Sequence, residues 1–124
     1  MTYSQFTNKG ILQGAINEYM ENIENNDEQT NNYYETYGPI QQWDVSGVPD
    51  LSNLFSGVNG KESFNADITG WNTSEVTNMA EMFIGCSSFT GIGLNKWDVS
   101  RVKYMSLMFM YCNVFNGDLS SWDV

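Results

Sequence analysis

Two different apolar rhythms divide this chain. In "FTNKGILQGAINEYMENIE" the residues Phe6, Ile11, Leu12, Ala15, Ile16, Tyr19, Met20 and Ile23 recur at three-and-four spacing, which predicts an amphipathic helix with one apolar stripe. Thr7 reads as its N-cap, with Phe6 and Ile11 placed to form a hydrophobic staple. Gly10 and Gly14 weaken the helix intrinsically, so it must form by packing on something. A polar stretch, "NNDEQTNNYYETYGP", reads as a loop leading to a first strand at 40–45. Beyond it the rhythm changes and the chain repeats itself.

Tryptophans stand at 43, 71, 97 and 122, spaced by 28, 26 and 25 residues. After each of the first three come Val48, Val76 or Val102, then Leu51, Met79 or Met105, then Leu54, Met82 or Met108. Phe55, Phe83 or Phe109 follows at once, and Phe64, Phe89 or Phe115 closes the unit. The longer spacings come from insertions in "SGVNGKESF" and "TGIGLNKW", segments rich in Gly and Asn that suit outer corners. "DLSSWDV" and "GLNKWDV" alternate like strands, whereas "VTNMAEMF" and "VKYMSLMF" space their apolar residues like a helical turn or two. These patterns predict an α+β repeat. The expected architecture is a short right-handed, leucine-rich-repeat-like solenoid with a parallel strand ladder, short helices opposite and an N-terminal capping helix. Residues 1–37 would form the cap and polar loop, and 38–124 about three repeats plus an incomplete fourth, in one structural domain.

Composition narrows the function classes. With 5 basic and 15 acidic residues the net charge is −10, which argues against nucleic acid as a partner. Glu18, Glu21, Glu24, Asp27, Glu28 and Glu35 crowd the N-terminal third and read mainly as a solvated face. No apolar run is long enough to predict membrane insertion. "MTYSQFTNKG" shows no signal-peptide pattern, and the compartment stays open. The absence of histidine removes the usual general base and the commonest metal ligand. No catalytic residue, metal ligand or cofactor is therefore assigned, and the expectation is a non-enzyme.

The units "SFNADITGWNTSEVTNMAEMFIGCSSF" and "VFNGDLSSWDV" resemble the repeats of BspA-like leucine-rich-repeat surface proteins, with their pattern "FN.D.S.WD.S.VTNM..MF..C..F". The likeness covers roughly residues 5–124. Asn72-Thr73, Pro49-Asp50 and the third unit's "RVKYMSLMFMYC" depart from it, which makes the third unit's surface its own. The resemblance implies a non-enzymatic module for surface display, adhesion or protein binding, at a cell or particle surface. The alternative is a structural subunit of a larger assembly, such as a virion or organellar complex, whose open C-terminal coil a partner covers.

Several residues invite a sharper reading. Asp44, Asn72, Asp98 and Asp123 share one position and could line up as Ca²⁺ ligands, but Asn72 and the neighbouring hydroxyls favour local backbone capping. Asp67 and Asp118 form a weaker pair of the same kind. Cys86 and Cys112 sit one unit apart and read as stacked, reduced thiols. The Met/Phe stripe (Met79, Met82, Phe83, Met105, Met108, Phe109) reads as core. Lys96, Arg101, Lys103, Tyr104 and Tyr111 form a basic, aromatic candidate contact for a protein partner on an otherwise acidic chain. Leu119, Trp122 and Val124 mark the expected open C-terminal edge, a place for end-to-end contact.

Overall fold

The computed structural model describes residues 2–22 and 27–123; Ile23 and Glu24 of the stripe and acidic cluster, and Val124 of the edge, lie outside them. Helix α1 spans Lys9–Glu21 and a single helical turn, α2, spans Tyr34–Tyr37. The remaining helical pieces are 3₁₀ turns at Glu28–Thr30, Ile40–Gln42, Gly57–Asn59 and Leu94–Lys96. The helix cap is Asn8 rather than Thr7: its Oδ1 accepts the Ile11 N–H at 3.1 Å. Nor does the staple form. Ile11 is 53% exposed, while Phe6 is buried, stacked on Tyr37 with ring centres 3.8 Å apart and tilted against Trp43. Leu12, Ala15 and Ile16 carry the buried stripe, with Tyr19 and Met20 packed half-buried beside it.

The expected right-handed, leucine-rich-repeat-like solenoid with its parallel strand ladder is not what the chain builds. Among the described residues there is no strand or sheet, only isolated parallel bridges joining Gln5 to Asp44, Asp50 to Asn78 and Asn78 to Tyr104. The segment expected as the first strand opens as the 3₁₀ turn Ile40–Gln42. The helices expected opposite the strands are absent too among the described residues. "VTNMAEMF" and "VKYMSLMF" are successions of tight turns.

Hydrogen bonding gives the reason. Within each unit, N–H groups close turns onto the carbonyl three residues back, at matching places: 51–54, 79–82 and 105–108, then 53–56, 81–84 and 107–110. The residue closing a turn is repeatedly an apolar core residue, as with Val48, Leu54, Phe64 and Trp71, then Val76, Met82, Phe89 and Trp97. Between those closures, the alternate N–H groups of Leu51, Asn53, Phe55 and Gly57 donate to the next unit's carbonyls at Asn78, Ala80, Met82 and Ile84. Met79, Glu81, Phe83 and Gly85 do the same to Tyr104, Ser106, Met108 and Met110. A parallel sheet exchanges donors and acceptors alternately between two chains. Here each junction makes one such exchange at its bridge, and then a row of donors all points one way.

This geometry places a left-handed residue in the first turn of each such row. Asn53, Glu81 and Leu107 take φ of 60°, 58° and 58° at the third turn position, and Gly85 and Tyr111 follow at 75° and 64°. Left-handed backbone costs an L-residue about 1–2 kcal/mol. The stacked units offset that cost through burial and inter-unit bonds.

Phenylalanines form the spine. Phe55, Phe83 and Phe109 stack with ring centres 5.5 and 5.8 Å apart and planes within 3°. Phe64, Phe89 and Phe115 run alongside, each packed against its unit's first Phe. Each tryptophan indole donates to a backbone carbonyl: Trp43 to Gly38, Trp71 to Ile40, Trp97 to Ile68 and Trp122 to Leu94. From Trp71 onward the acceptor lies in the preceding segment, so the indoles tie one unit to another.

Helix α1 closes the first unit. Gln13 Nε2 donates to the Leu54 carbonyl at 3.1 Å, and Lys9 Nζ lies 2.8 Å from Ser52 Oγ and 3.2 Å from Asp50 Oδ1. The first unit's outward edge, which presents carbonyls, thus meets side-chain donors.

Candidate interaction surface

The polar residues that repeat are committed to local structure. Asp44, Asn72 and Asp98 each accept, through Oδ1, both the N–H and the hydroxyl of the serine two residues on. Asp67 does the same with Thr69, and Asp118 accepts the Ser120 N–H. These are Asx turns, the capping role, and they explain why Asn72 serves as well as aspartate. Among the described residues, no group of three or more Asp, Glu or Cys side chains is arranged to hold a metal ion.

Their ionisation follows from these bonds. The Thr69 hydroxyl and N–H hold Asp67 below the usual carboxylate range, the Ser100 hydroxyl and N–H do so for Asp98, and the Ser120 N–H and hydroxyl for Asp118. A carboxylate whose folded pKa is depressed contributes stability above its unfolded pKa and loses it as pH falls through the folded value. Glu28 works the other way: burial raises it, against the Ile40 N–H and Tyr33 hydroxyl that it accepts. The urea midpoint should therefore fall as pH drops below about 4. Asp98→Asn should weaken that fall while leaving the midpoint at pH 7 close to the parent, since Asn72 shows that an amide serves in the same turn. An unchanged acid profile in Asp98→Asn would contradict the assignment.

The crowded acids are only partly a solvated face. Glu18 Oε1 accepts the Asn32 N–H, and Glu28 ties the 28–30 turn to Ile40. The two thiols are free, Cys86 buried and Cys112 half-buried. Cys86 Sγ donates to the Phe55 carbonyl and Cys112 Sγ to the Phe83 carbonyl, each reaching back one unit. Burial, followed by the neighbouring Cys112, pushes the Cys86 thiol up to about 12, and burial raises Cys112.

The candidate contact residues all reach solvent. Tyr104 and Tyr111 are 61% and 65% exposed, and Lys96, Arg101 and Lys103 are exposed as well. Arg101 reaches back to Glu75 at 3.4 Å, a pairing between equivalent positions of adjacent units that both remain in water. The Lys103 N–H donates to the Thr77 carbonyl, and Tyr104 forms the bridge to Asn78, so the backbone holds this stretch in place. Lys96 stands apart, ending the 94–96 turn beside a hollow of about 320 Å³ lined by Asp67, Thr69 and Ile92. Arg101, Lys103 and Tyr104 form one exposed strip, and Tyr111 closes the far end of the same unit's turn row.

Sequence reasoning missed the apolar residues among them. Leu107, Met110 and Val114 are 50%, 39% and 49% exposed. Leu107 stands where Asn53 and Glu81 stand in the other units, a substitution that alignment of the repeats makes visible. Of the expected open edge, Leu119 and Trp122 are half-buried and line an apolar hollow of about 280 Å³ with Met105, Met108 and Phe109.

The family model described as "Mycoplasma protein of unknown function, DUF285" matches residues 18–124. The chain belongs to that family. No curated protein and no solved structure matches it.

Proposed function

With membership of that family as the premise, we propose that the chain is a non-enzymatic, protein-binding repeat module of the surface or adhesion type, akin to BspA-like repeat proteins. One observation carries the reading. The recurring polar side chains are spent on turns and inter-unit bonds, while the third unit turns Arg101, Lys103, Tyr104, Leu107, Met110 and Tyr111 to solvent. Arginine, tyrosine and methionine, all exposed in this one unit, are residue types that protein contacts favour. An apolar group rimmed by charge also marks an interaction site more than a bare surface.

The test is attachment. Beads coated with the chain should adhere to animal-cell monolayers and lose adhesion when the cells are first treated with protease. The double variant Arg101→Glu/Lys103→Glu should reduce attachment about tenfold or more. Its fold should be little changed, since the exposed Arg101–Glu75 pair is worth at most about 1 kcal/mol. Attachment equal to the parent's would remove this face from the function.

The apolar hollow at Met105, Phe109 and Trp122 favours a second reading, in which the chain is a structural subunit of a larger assembly.

A further inference from the structure

One corner of the repeat is built differently from its neighbours. "TGIGLNKW" carries one residue more than "NADITGW" up to its tryptophan, and the extra length falls between two fixed points. At one end Asn65 Oδ1 accepts the Thr90 N–H and hydroxyl at 3.1 and 3.3 Å. At the other the Trp97 indole donates to the Ile68 carbonyl at 3.0 Å. Left-handed backbone at Gly91 and Gly93, φ 72° and 90°, takes up the surplus, and Ile92 is thrown out between them at 74% exposure. A Cβ at Gly93 would strike Thr69 Cγ2, so the bowed segment stays close to the preceding unit there. Between the two segments lies the hollow of about 320 Å³, at the small end of ligand pockets, which run from about 300 to 1,000 Å³.

The lining offers polar groups of both kinds. Asp67 uses Oδ1 for Thr69, which leaves Oδ2 as an acceptor, and Asn65 uses Oδ1 for Thr90, which leaves Nδ2 as a donor. Lys96 adds an ammonium donor. Asp67 is held below the usual carboxylate range by the Thr69 hydroxyl and N–H, and then by nearby Lys96, so the hollow carries one charge of each sign. An ionic ligand would therefore meet one attraction and one repulsion. Adjacent hydroxyls suit all three groups, because a hydroxyl donates to a carboxylate and accepts from an ammonium or an amide N–H. Ile92 adds an exposed apolar surface on which C–H groups can lie. Hydroxyls around the edge and C–H groups on a face describe a sugar ring. We propose that this hollow binds a single neutral pyranose residue of a saccharide. This goes beyond the protein-binding reading and shares no residue with the strip at Arg101 and Lys103.

The probes are methyl α-glucoside, methyl α-mannoside and methyl β-galactoside, each titrated into the labelled chain while amide chemical shifts are read residue by residue. At least one should move the Thr69, Thr90, Ile92 and Gly93 signals saturably, at millimolar concentration, as suits so small a ligand. Glycerol, which has hydroxyls but no ring face, should not. Asp67→Asn keeps the acceptor that Thr69 uses, as Asn72 does for Ser74, and removes the carboxylate, so affinity should fall about tenfold or more with the fold intact. Lys96→Met, a change at an exposed side chain, should weaken binding as well. No saturable shift with any of the three glycosides would overturn the proposal. So would an equal response to glycerol, or parental affinity in both variants. Because Arg101→Glu/Lys103→Glu leaves Asn65, Asp67, Ile92 and Lys96 in place, failure of the adhesive reading and failure of this one are separately visible.

Discussion

Phe83→Ala should be the most damaging single truncation in the molecule, lowering stability by about 3–5 kcal/mol. Its ring is fully buried and meets Phe55 at 5.5 Å, Phe89 at 4.2 Å, Phe109 at 5.8 Å and Trp97 at 6.2 Å. Removing it empties the middle of the stacked column, and the rings on either side belong to different units. Small domains are stable by only about 5–15 kcal/mol, so this loss takes a large share. Urea unfolding followed by tryptophan fluorescence would measure it. Phe109→Ala is the comparison: its ring is half-buried at the end of the column, so the midpoint should fall distinctly less. Equal losses would mean that the column does not carry stability between units.

Gly57→Ala should be the second, at about 2–3 kcal/mol or more, from overpacking rather than from a cavity. An added Cβ at Gly57 would run into the Gly85 carbonyl carbon and oxygen of the next unit. That obstacle is backbone, which cannot rotate away as a side chain can. The same substitution would disturb the Gly57 N–H bond to Ile84, the last of the four in the one-way row from the first unit to the second. Gly60→Ala provides the contrast, because nothing lies within 4 Å of a Cβ there and only its φ of 86° resists. Thermal unfolding of both variants would separate collision from conformational strain, and Gly57→Ala should show the larger drop.

What could be read from the sequence, and what could not, follows from what side chains report. The tryptophan register, the Leu/Met–Phe positions and the core they fill are legible because burial selects residue type: Met79, Met82 and Phe83 are fully buried as the repeat requires. The backbone path between them is not. Apolar residues at every third position, as in Val76, Met79 and Met82, fit a helical turn and equally fit turns closed every three residues. The decisive feature is left-handed backbone at Glu81 and Leu107, and neither residue type announces it as glycine would. Hence the strand ladder and the opposing helices were both expected, and both gave way to turns with one-way bonds between units. The helix start slipped by one residue because Thr7 and Asn8 are both good caps, and only geometry shows that Asn8 accepts the Ile11 N–H. For the surface, the cations of the third unit were visible by comparison with Glu75 and Thr77. The one-way bonding between units was not, because backbone polarity leaves no mark on composition.

That one-way row is the central structural claim, and scalar couplings across hydrogen bonds test it most directly. In a uniformly labelled sample, the amide nitrogens of Leu51, Asn53, Phe55 and Gly57 should couple to the carbonyl carbons of Asn78, Ala80, Met82 and Ile84, and those of Met79, Glu81, Phe83 and Gly85 to Tyr104, Ser106, Met108 and Met110. Couplings that alternate in direction along each junction, with the later unit's amides donating back at every second step, would mark a parallel sheet and contradict it.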